Sequence, residues 1–312
     1  MYTIGVDLGG TNIKAALVDE QGGILQEASR PTNLPRPAQA VCDDIADLCR
    51  QLMAGHTVAG VGIGCPGTVD DADGMVLYSN NLDWSNFAMG PYLKERLGLP
   101  VRLANDANAA ALGEALAGCA KGTDSAVILT LGTGVGGGVV LGGRLLTGYT
   151  GAASEPGHMV ICDTPDAPLC TCGRRGDLEA YASATALIRM TREAMQAHPE
   201  SGLWKLADLD TVEGRTVFDA RDAGDPVARE VVEGYIHWLA VGIANLINIF
   251  YPEVVGLSGG VANQGEALLA PLRAQVEPMV FGAAYADKKT RLVSCTLGYR
   301  AGVIGAALLA AQ

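Results

Sequence analysis

Apolar residues open the chain in two short runs set about a polar corner. Ile4, Gly5, Val6, Asp7 and Leu8 form the first run, which carries a single acid. Gly9, Gly10 and Thr11 follow, and a second run through Ile13, Ala15, Ala16, Leu17 and Val18 stops at Gly22 and Gly23. Two short runs about a glycine-rich corner predict a β-hairpin rather than a strand–turn–helix. Glycines at such a corner accept positive φ and expose successive backbone N–H groups, an arrangement that can hold phosphate. Other glycine-rich phosphate loops do not fit. There is no GxxxxGK[ST], and no GxGxxG follows a strand and opens a helix.

A Gly-Gly corner also serves many hairpins for steric reasons alone, but here the plan repeats. The run 127–131 leads into Gly132, Thr133 and Gly134, and a second run ends at Leu141 before Gly142 and Gly143. A third glycine corner, Ser258-Gly259-Gly260, comes after a long helical segment. Internal similarity of this kind implies two related halves clamping one phosphorylated ligand.

The pattern between the corners alternates. Helical spacing covers 35–53, and a buried strand over 58–63 enters the loop Gly64-Cys65-Pro66-Gly67. A strand at 75–78, a helix at 91–97 closed by Gly98 and Pro100, a strand at 101–104 and an Ala-rich helix at 107–117 complete the first half. The second half reads as the repeated hairpin, a Cys-bearing loop over 162–176 and one helix over 178–196. Asp225-Pro226 then starts a long helix to 250, followed by strand 254–257, helix 266–279, strand 291–296 and helix 301–311. The fold class is α/β. A length of 312 residues suits two domains, expected at 1–118 and 119–298.

Composition changes the picture modestly. Hydrophobic residues make up 49% but aromatics only 5%, so Ala, Val and Leu must fill the cores. A net charge of −12 with scattered basic residues argues against a nucleic-acid surface. The longest apolar stretch, 238–250, is shorter than the ~18 residues of a spanning helix. The chain enters a strand at once, with no signal peptide expected, so its eight Cys read as reduced cytoplasmic thiols.

Asp106 is the strongest candidate for chemistry. It falls where a strand ends and a helix begins, the edge where α/β sheets place ligands, and Asn105 and Asn108 flank it with amides suited to hydroxyls. The competing reading is a plain helix N-cap.

The segment Asp7-Leu8-Gly9-Gly10-Thr11-Asn12-Ile13-Lys14 resembles the first phosphate motif of the actin/hexokinase superfamily and, more narrowly, of the ROK family of sugar kinases and repressors. The resemblance runs the whole length of the chain. It implies an actin-like (ribonuclease H-like) two-domain ATPase fold with an interdomain active-site cleft, the last helix (299–312) crossing back onto the first domain. It implies ATP contacts at Asp7, Gly9, Gly10, Thr11, Asn12, Lys14, Gly132, Thr133, Gly134, Gly259 and Gly260, although Lys14 reads equally well as an exposed strand residue. Asp106 matches the family's catalytic base. Sugar contacts are implied at Gly67, Asn81, Asn105, Asp106, Glu155, His158 and Glu179, whereas Trp84 reads as a packing residue.

Two motifs narrow this resemblance and also depart from it. Ser154-Glu155-Pro156-Gly157-His158 is similar to the family's E-x-G-H sugar segment, with Pro156 at the x position an unfamiliar residue that bears on the aim of His158. Cys170-Thr171-Cys172-Gly173-Arg174-Arg175-Gly176-Asp177-Leu178-Glu179 corresponds to C-x-C-G-x-x-G-C-x-E, whose three Cys and the preceding His bind structural zinc in the family. Asp177 stands in the place of the third Cys. Zinc accepts carboxylate oxygen, so His158, Cys170, Cys172 and Asp177 remain a ligand set, weaker for one lost thiolate, with Cys162 as a substitute ligand. The alternative is two reduced thiols in a loop without metal.

The resemblance therefore implies transfer of a phosphoryl group from ATP, with Mg²⁺, to the 6-hydroxyl of a hexose. Residues 105–110 and 178–184 look most like the glucose-specific ROK kinases. Allose, mannose, fructose, N-acetylglucosamine and N-acetylmannosamine are alternative substrates, and a non-catalytic sugar sensor is the alternative class. Family repressors carry a helix-turn-helix before the first hairpin, for which a hairpin starting at Ile4 is not expected to leave room. The expected partners are a hexose and ATP, with no nucleic acid and no membrane, and relatives suggest a homodimer or homotetramer.

Overall fold

The first hairpin forms as its pattern requires. In the computed structural model, which describes residues 1–312, β1 (Tyr2–Leu8) pairs antiparallel with β2 (Asn12–Val18), placing Leu8 opposite Ile13 across the glycine corner. The chain continues through β3 (Ile24–Pro31), α1 (Ala38–Met53), β4 (Val58–Cys65), β5 (Thr68–Asp70), β6 (Met75–Ser79), β7 (Trp84–Phe87), α2 (Met89–Leu97), β8 (Val101–Asn105) and α3 (Asp106–Leu116). The second hairpin is β9 (Ser125–Leu131) and β10 (Val135–Leu141), followed by β11 (Arg144–Leu145), α4 (Leu178–Ala182), α5 (Ala184–Ala197), α6 (Thr216–Asp222) and α7 (Pro226–Phe250). β12 (Val254–Ser258), α8 (Glu266–Val276), β13 (Arg291–Ser294) and α9 (Ala301–Ala310) complete it.

The two large sheets share one strand order, β3-β2-β1-β4-β8 and β11-β10-β9-β12-β13. In the first, β2 and β3 run antiparallel to their neighbours, while β4 and β8 add in parallel. In the second, β10 and β11 are antiparallel and β12 and β13 parallel. The repeat read from glycine corners is thus a repeat of mixed-sheet topology, the α/β arrangement of the actin-like fold.

The chain divides into two compact units. One comprises Met1–Ile128, Gly137–Ser154 and Cys295–Gln312; the other comprises Leu129–Gly136 and Glu155–Ser294. In the first unit, α1 buries Val41, Ile45, Leu48 and Leu52 in one core with Ile4, Val6, Ile13, Leu17 and Ile63 of the sheet. Each such aliphatic side chain contributes about 1.5–3 kcal/mol on burial. α9 covers the opposite face, where Val303, Ile304, Ala307 and Leu308 pack with Ala16 and Val18. α9 also meets α3 backbone to backbone: a Cβ on Gly305 would lie 1.7 Å from the Ala109 carbonyl oxygen. That contact fixes α3, the helix that presents Asp106. In the second unit α7 is the central helix, contacted by α4, α5, α6 and α8. Asp225 caps its start through Ala228 N–H, with Pro226 at the first helical position.

One expected element breaks. The segment read as a single helix over 178–196 is two, because Ser183 takes an extended conformation (φ −79°, ψ 166°) and caps α5 through Ala186 N–H. β3, β5, β7 and α6 lie in segments to which no element was assigned.

Candidate active site

In the first unit, the carboxyl ends of β1, β4 and β8 converge. Asp7 near the end of β1 stands opposite Lys14 on β2 and beside Gly64 on β4. β8 delivers Asn105 and Asp106 directly into α3. The N-cap is Asn105: its Oδ1 accepts from Ala107 N–H at 2.9 Å and Asn108 N–H at 3.2 Å. Its Nδ2 donates to the Gly67 carbonyl at 2.9 Å, which leaves one amide hydrogen for a ligand. Asp106 is therefore not needed as the cap, and the bland reading of it loses its basis. Its Oδ1 accepts from Ala107 N–H at 2.9 Å.

Burial raises the Asp106 carboxyl above its ordinary value of 3.8, against the pull of the Ala107 and Asp106 N–H groups and the Asn105 side chain. Burial also raises Asp7, which Lys14 pulls down and Asp106 pushes up. Two carboxylates that sense each other beside one lysine make a site that gains by adding a cation. Lys14 is exposed, with its Nζ 5.7 Å from the centre of the Tyr299 ring. Gly10, Thr11 and Asn12 are exposed at the corner, and the Asn81 carbonyl lies 3.8 Å from where a Cβ on Gly10 would stand. Trp84 is 5% exposed and packs edge-on against Phe87, a packing residue as read.

In the second unit, the corner Gly132, Thr133 and Gly134 is tied to the α4–α5 junction. Ala184 N–H donates to the Gly132 carbonyl at 2.8 Å, and the Thr185 hydroxyl donates to the Thr133 carbonyl at 2.8 Å. Glu179 on α4 reaches the same corner: its Oε2 accepts from Val135 N–H at 3.0 Å. A Cβ on Gly134 would come within 2.2 Å of that oxygen, so only glycine leaves room for the carboxylate. Oε1 accepts from the Thr171 hydroxyl at 2.8 Å and from the Cys170 thiol at 3.3 Å. Sequence reading identified Glu179 but not Thr171 or the Val135 amide, whose roles depend on a fold-back that spacing does not encode.

Pro156 sits at the start of a 3₁₀ turn, Pro156–His158, where its missing N–H is not required. It is buried and compatible with the turn that carries His158, whose N–H bonds the Glu155 carbonyl at 3.1 Å. His158 Nδ1 lies 3.3 Å from Asp177 Oδ2 and 4.0 Å from Cys170 Sγ, and Cys172 Sγ lies 3.4 Å from the same Asp177 oxygen. A tetrahedral zinc, with bonds of about 2.0 Å to N or O and about 2.3 Å to S, sets donor–donor edges of about 3.3–3.8 Å. The 3.3 and 3.4 Å separations match those edges and the 4.0 Å one is slightly wider, with all four donor atoms within 4.8 Å of one another, so the set could hold the ion after a small contraction.

Asp177 divides its oxygens. Oδ1 caps α4 through Ala180 N–H at 3.0 Å while Oδ2 faces the cluster. Burial opposes ionisation of Asp177, but hydrogen bonds from Cys170, Ala180, His158 and Cys172 overcome it, and its carboxyl is held below the ordinary value. Cys162 is not part of the cluster; its thiol pairs with the Thr164 hydroxyl at 3.5 Å, so the substitute-ligand role is withdrawn. Gly259 packs on β9, its would-be Cβ 2.4 Å from the Leu131 carbonyl. Gly260 borders a cavity of about 650 Å³ that Ala184, Gly214, Arg215 and Gln264 also line.

Duplicated hairpin-led sheets with carboxylates at the strand ends define the actin-like class of α/β protein. Within that class the chain belongs to the ROK family, whose model matches residues 3–312. It is 41% identical to a glucokinase of Thermotoga maritima, over 97% of this chain and 95% of that one. Among solved structures, a ROK family glucokinase from Streptomyces griseus in complex with glucose and AMPPNP aligns over 100% of both chains, with 38% identity and a TM-score of 0.77. A ROK hexokinase from Thermus thermophilus aligns over 100% of this chain and 98% of its own, with 36% identity and a TM-score of 0.84.

Proposed function

We propose that this chain is an ATP-dependent hexose kinase acting on the 6-hydroxyl of glucose. The observation that carries the reading is the Asp106 carboxyl, half-buried at the strand–helix junction with Asn105 capping the helix in its place. Oδ1 holds the Ala107 amide, leaving Oδ2 to accept the proton of a sugar hydroxyl as oxygen attacks the γ-phosphate. A raised pKa makes the carboxylate a stronger base. Positioning and charge neutralisation supply the rest. The similarity to kinases of glucose supports the choice of sugar.

The remaining roles follow from placement within each unit. Gly10, Thr11 and Asn12, and Thr133 and Gly134, offer backbone and side-chain donors to phosphate at the two corners, which Gly9 and Gly132 shape by donating their N–H groups to the Asn12 and Gly134 carbonyls, with Lys14 adding charge. Asp7 is the carboxylate suited to Mg²⁺, which when bound neutralises charge on the β- and γ-phosphates. Gly259 and Gly260 border the adenosine, a role the adjoining cavity supports. Gly67, Asn81, Asn105, Glu155, His158 and Glu179 orient the sugar.

His158, Cys170, Cys172 and Asp177 hold a structural Zn²⁺, which fixes the loop between His158 and Glu179 and takes no part in the reaction. A cytoplasmic homodimer or homotetramer belongs to the same reading, and sizing chromatography tests the assembly. No helix is long and apolar enough to cross a membrane.

The test of function is ADP release with Mg-ATP across glucose, allose, mannose, fructose and the N-acetylhexosamines. Saturable turnover highest on glucose is expected. Highest turnover on another sugar would reassign the substrate. Binding without turnover on any of them would favour the sensor.

A further inference from the structure

Thr171 is the middle residue of Cys170-Thr171-Cys172 and is exposed, a place where a threonine ordinarily contributes little. Here its hydroxyl donates to Glu179 Oε1 at 2.8 Å. The other carboxylate oxygen is pinned by Val135 N–H at 3.0 Å. One donor on each oxygen fixes both the position and the rotation of the carboxylate plane. A second donor to Oε1 is the Cys170 thiol, at the longer distance of 3.3 Å.

We propose that Thr171 is a positioning residue for sugar binding: its hydroxyl orients the Glu179 carboxylate so that the free lone pairs of Oε1 and Oε2 meet the sugar hydroxyls. The proposal rests on the reading of Glu179 as a sugar ligand. Thr171 is not among the residues given a phosphate contact or the role of base, so its loss acts on sugar affinity and leaves the chemical step alone. Losing one hydrogen bond to an ionised carboxylate in a part-exposed setting corresponds to about a five- to twentyfold change.

The experiment compares wild type, Thr171→Val and Thr171→Ser, measuring KM for glucose, KM for ATP, kcat and bound zinc. Thr171→Val is expected to raise KM for glucose about five- to twentyfold, with kcat, KM for ATP and zinc content each within about twofold. Thr171→Ser, which keeps the hydroxyl, is expected to return KM for glucose to within about twofold of wild type. An unchanged KM for glucose in Thr171→Val would overturn the proposal, as would a rise accompanied by loss of zinc, which would make Thr171 a support of the metal loop. Failure of the kinase reading is separate, since the wild type itself would then show no saturable glucose turnover.

Discussion

Replacing Asp106 by Asn moves activity and stability in opposite directions. The two side chains are isosteric, and the amide oxygen can keep the 2.9 Å bond from Ala107 N–H, so α3 retains its start under the Asn105 cap. What is lost is the proton acceptor at the other position, where an N–H₂ group now donates. Removing a positioned general base costs about 10²–10⁴-fold in rate, or about 3–5 kcal/mol of transition-state stabilisation. Glucose binding should stay within a few fold, because the amide still hydrogen-bonds the hydroxyl.

Stability should rise in the same variant. The folded carboxyl titrates above its ordinary value of 3.8 because burial disfavours the charged form. The folded state then binds the proton more tightly than the unfolded one, so stability is lost as pH rises from 3.8 through the raised value. Asp106→Asn removes that penalty, and its Tm should exceed that of wild type at neutral pH. The gain should disappear as pH falls below the ordinary carboxyl value. Single-turnover kinetics, glucose calorimetry and a thermal melt at two pH values measure all three quantities. Turnover above about a tenth of wild type would refute the base assignment. A lower Tm at neutral pH would refute the burial argument.

Three further outcomes test the scaffold. Purified protein should carry about one zinc per chain, and Asp177→Ala should lose it along with about 1 kcal/mol from the α4 cap; a full zinc complement in the variant would remove Asp177 as a ligand. Gly305→Ala should destabilise the first unit by at least about 1–3 kcal/mol, because its Cβ meets the Ala109 carbonyl at 1.7 Å, and an unchanged melt would show that α9 shifts without cost. Buried Glu114 accepts from Cys119, Thr296 and Leu297 N–H groups, so Glu114→Gln should cost about 1–3 kcal/mol by turning an acceptor into a donor, read by denaturant titration.

The sequence made the hairpins, the long helices and Asp106 legible because each carries its own local signal: a period, a glycine corner or a cap. β3 escaped because an edge strand with the burial pattern of Ile24–Pro31 has no continuous apolar face to reveal it. The break at Ser183 escaped because Ala-rich sequence on both sides continues the helical pattern across the new N-cap. At the candidate site, Asn105 was legible as a candidate sugar contact, but spacing did not reveal that it also caps α3 and bonds Gly67, which leaves one amide hydrogen for a ligand. Thr171 escaped for a different reason: its partner Glu179 is eight residues away and is reached only once the Cys loop folds back.

The central claim is that a hexose 6-hydroxyl is the nucleophile, and a matched pair of sugars tests it directly. ADP release from Mg-ATP would be measured with glucose and with 6-deoxyglucose, which keeps the ring hydroxyls but lacks the reacting one. Saturable ADP release with glucose and only the no-sugar background with 6-deoxyglucose is predicted. Equal release with both sugars, or none with glucose, would contradict it.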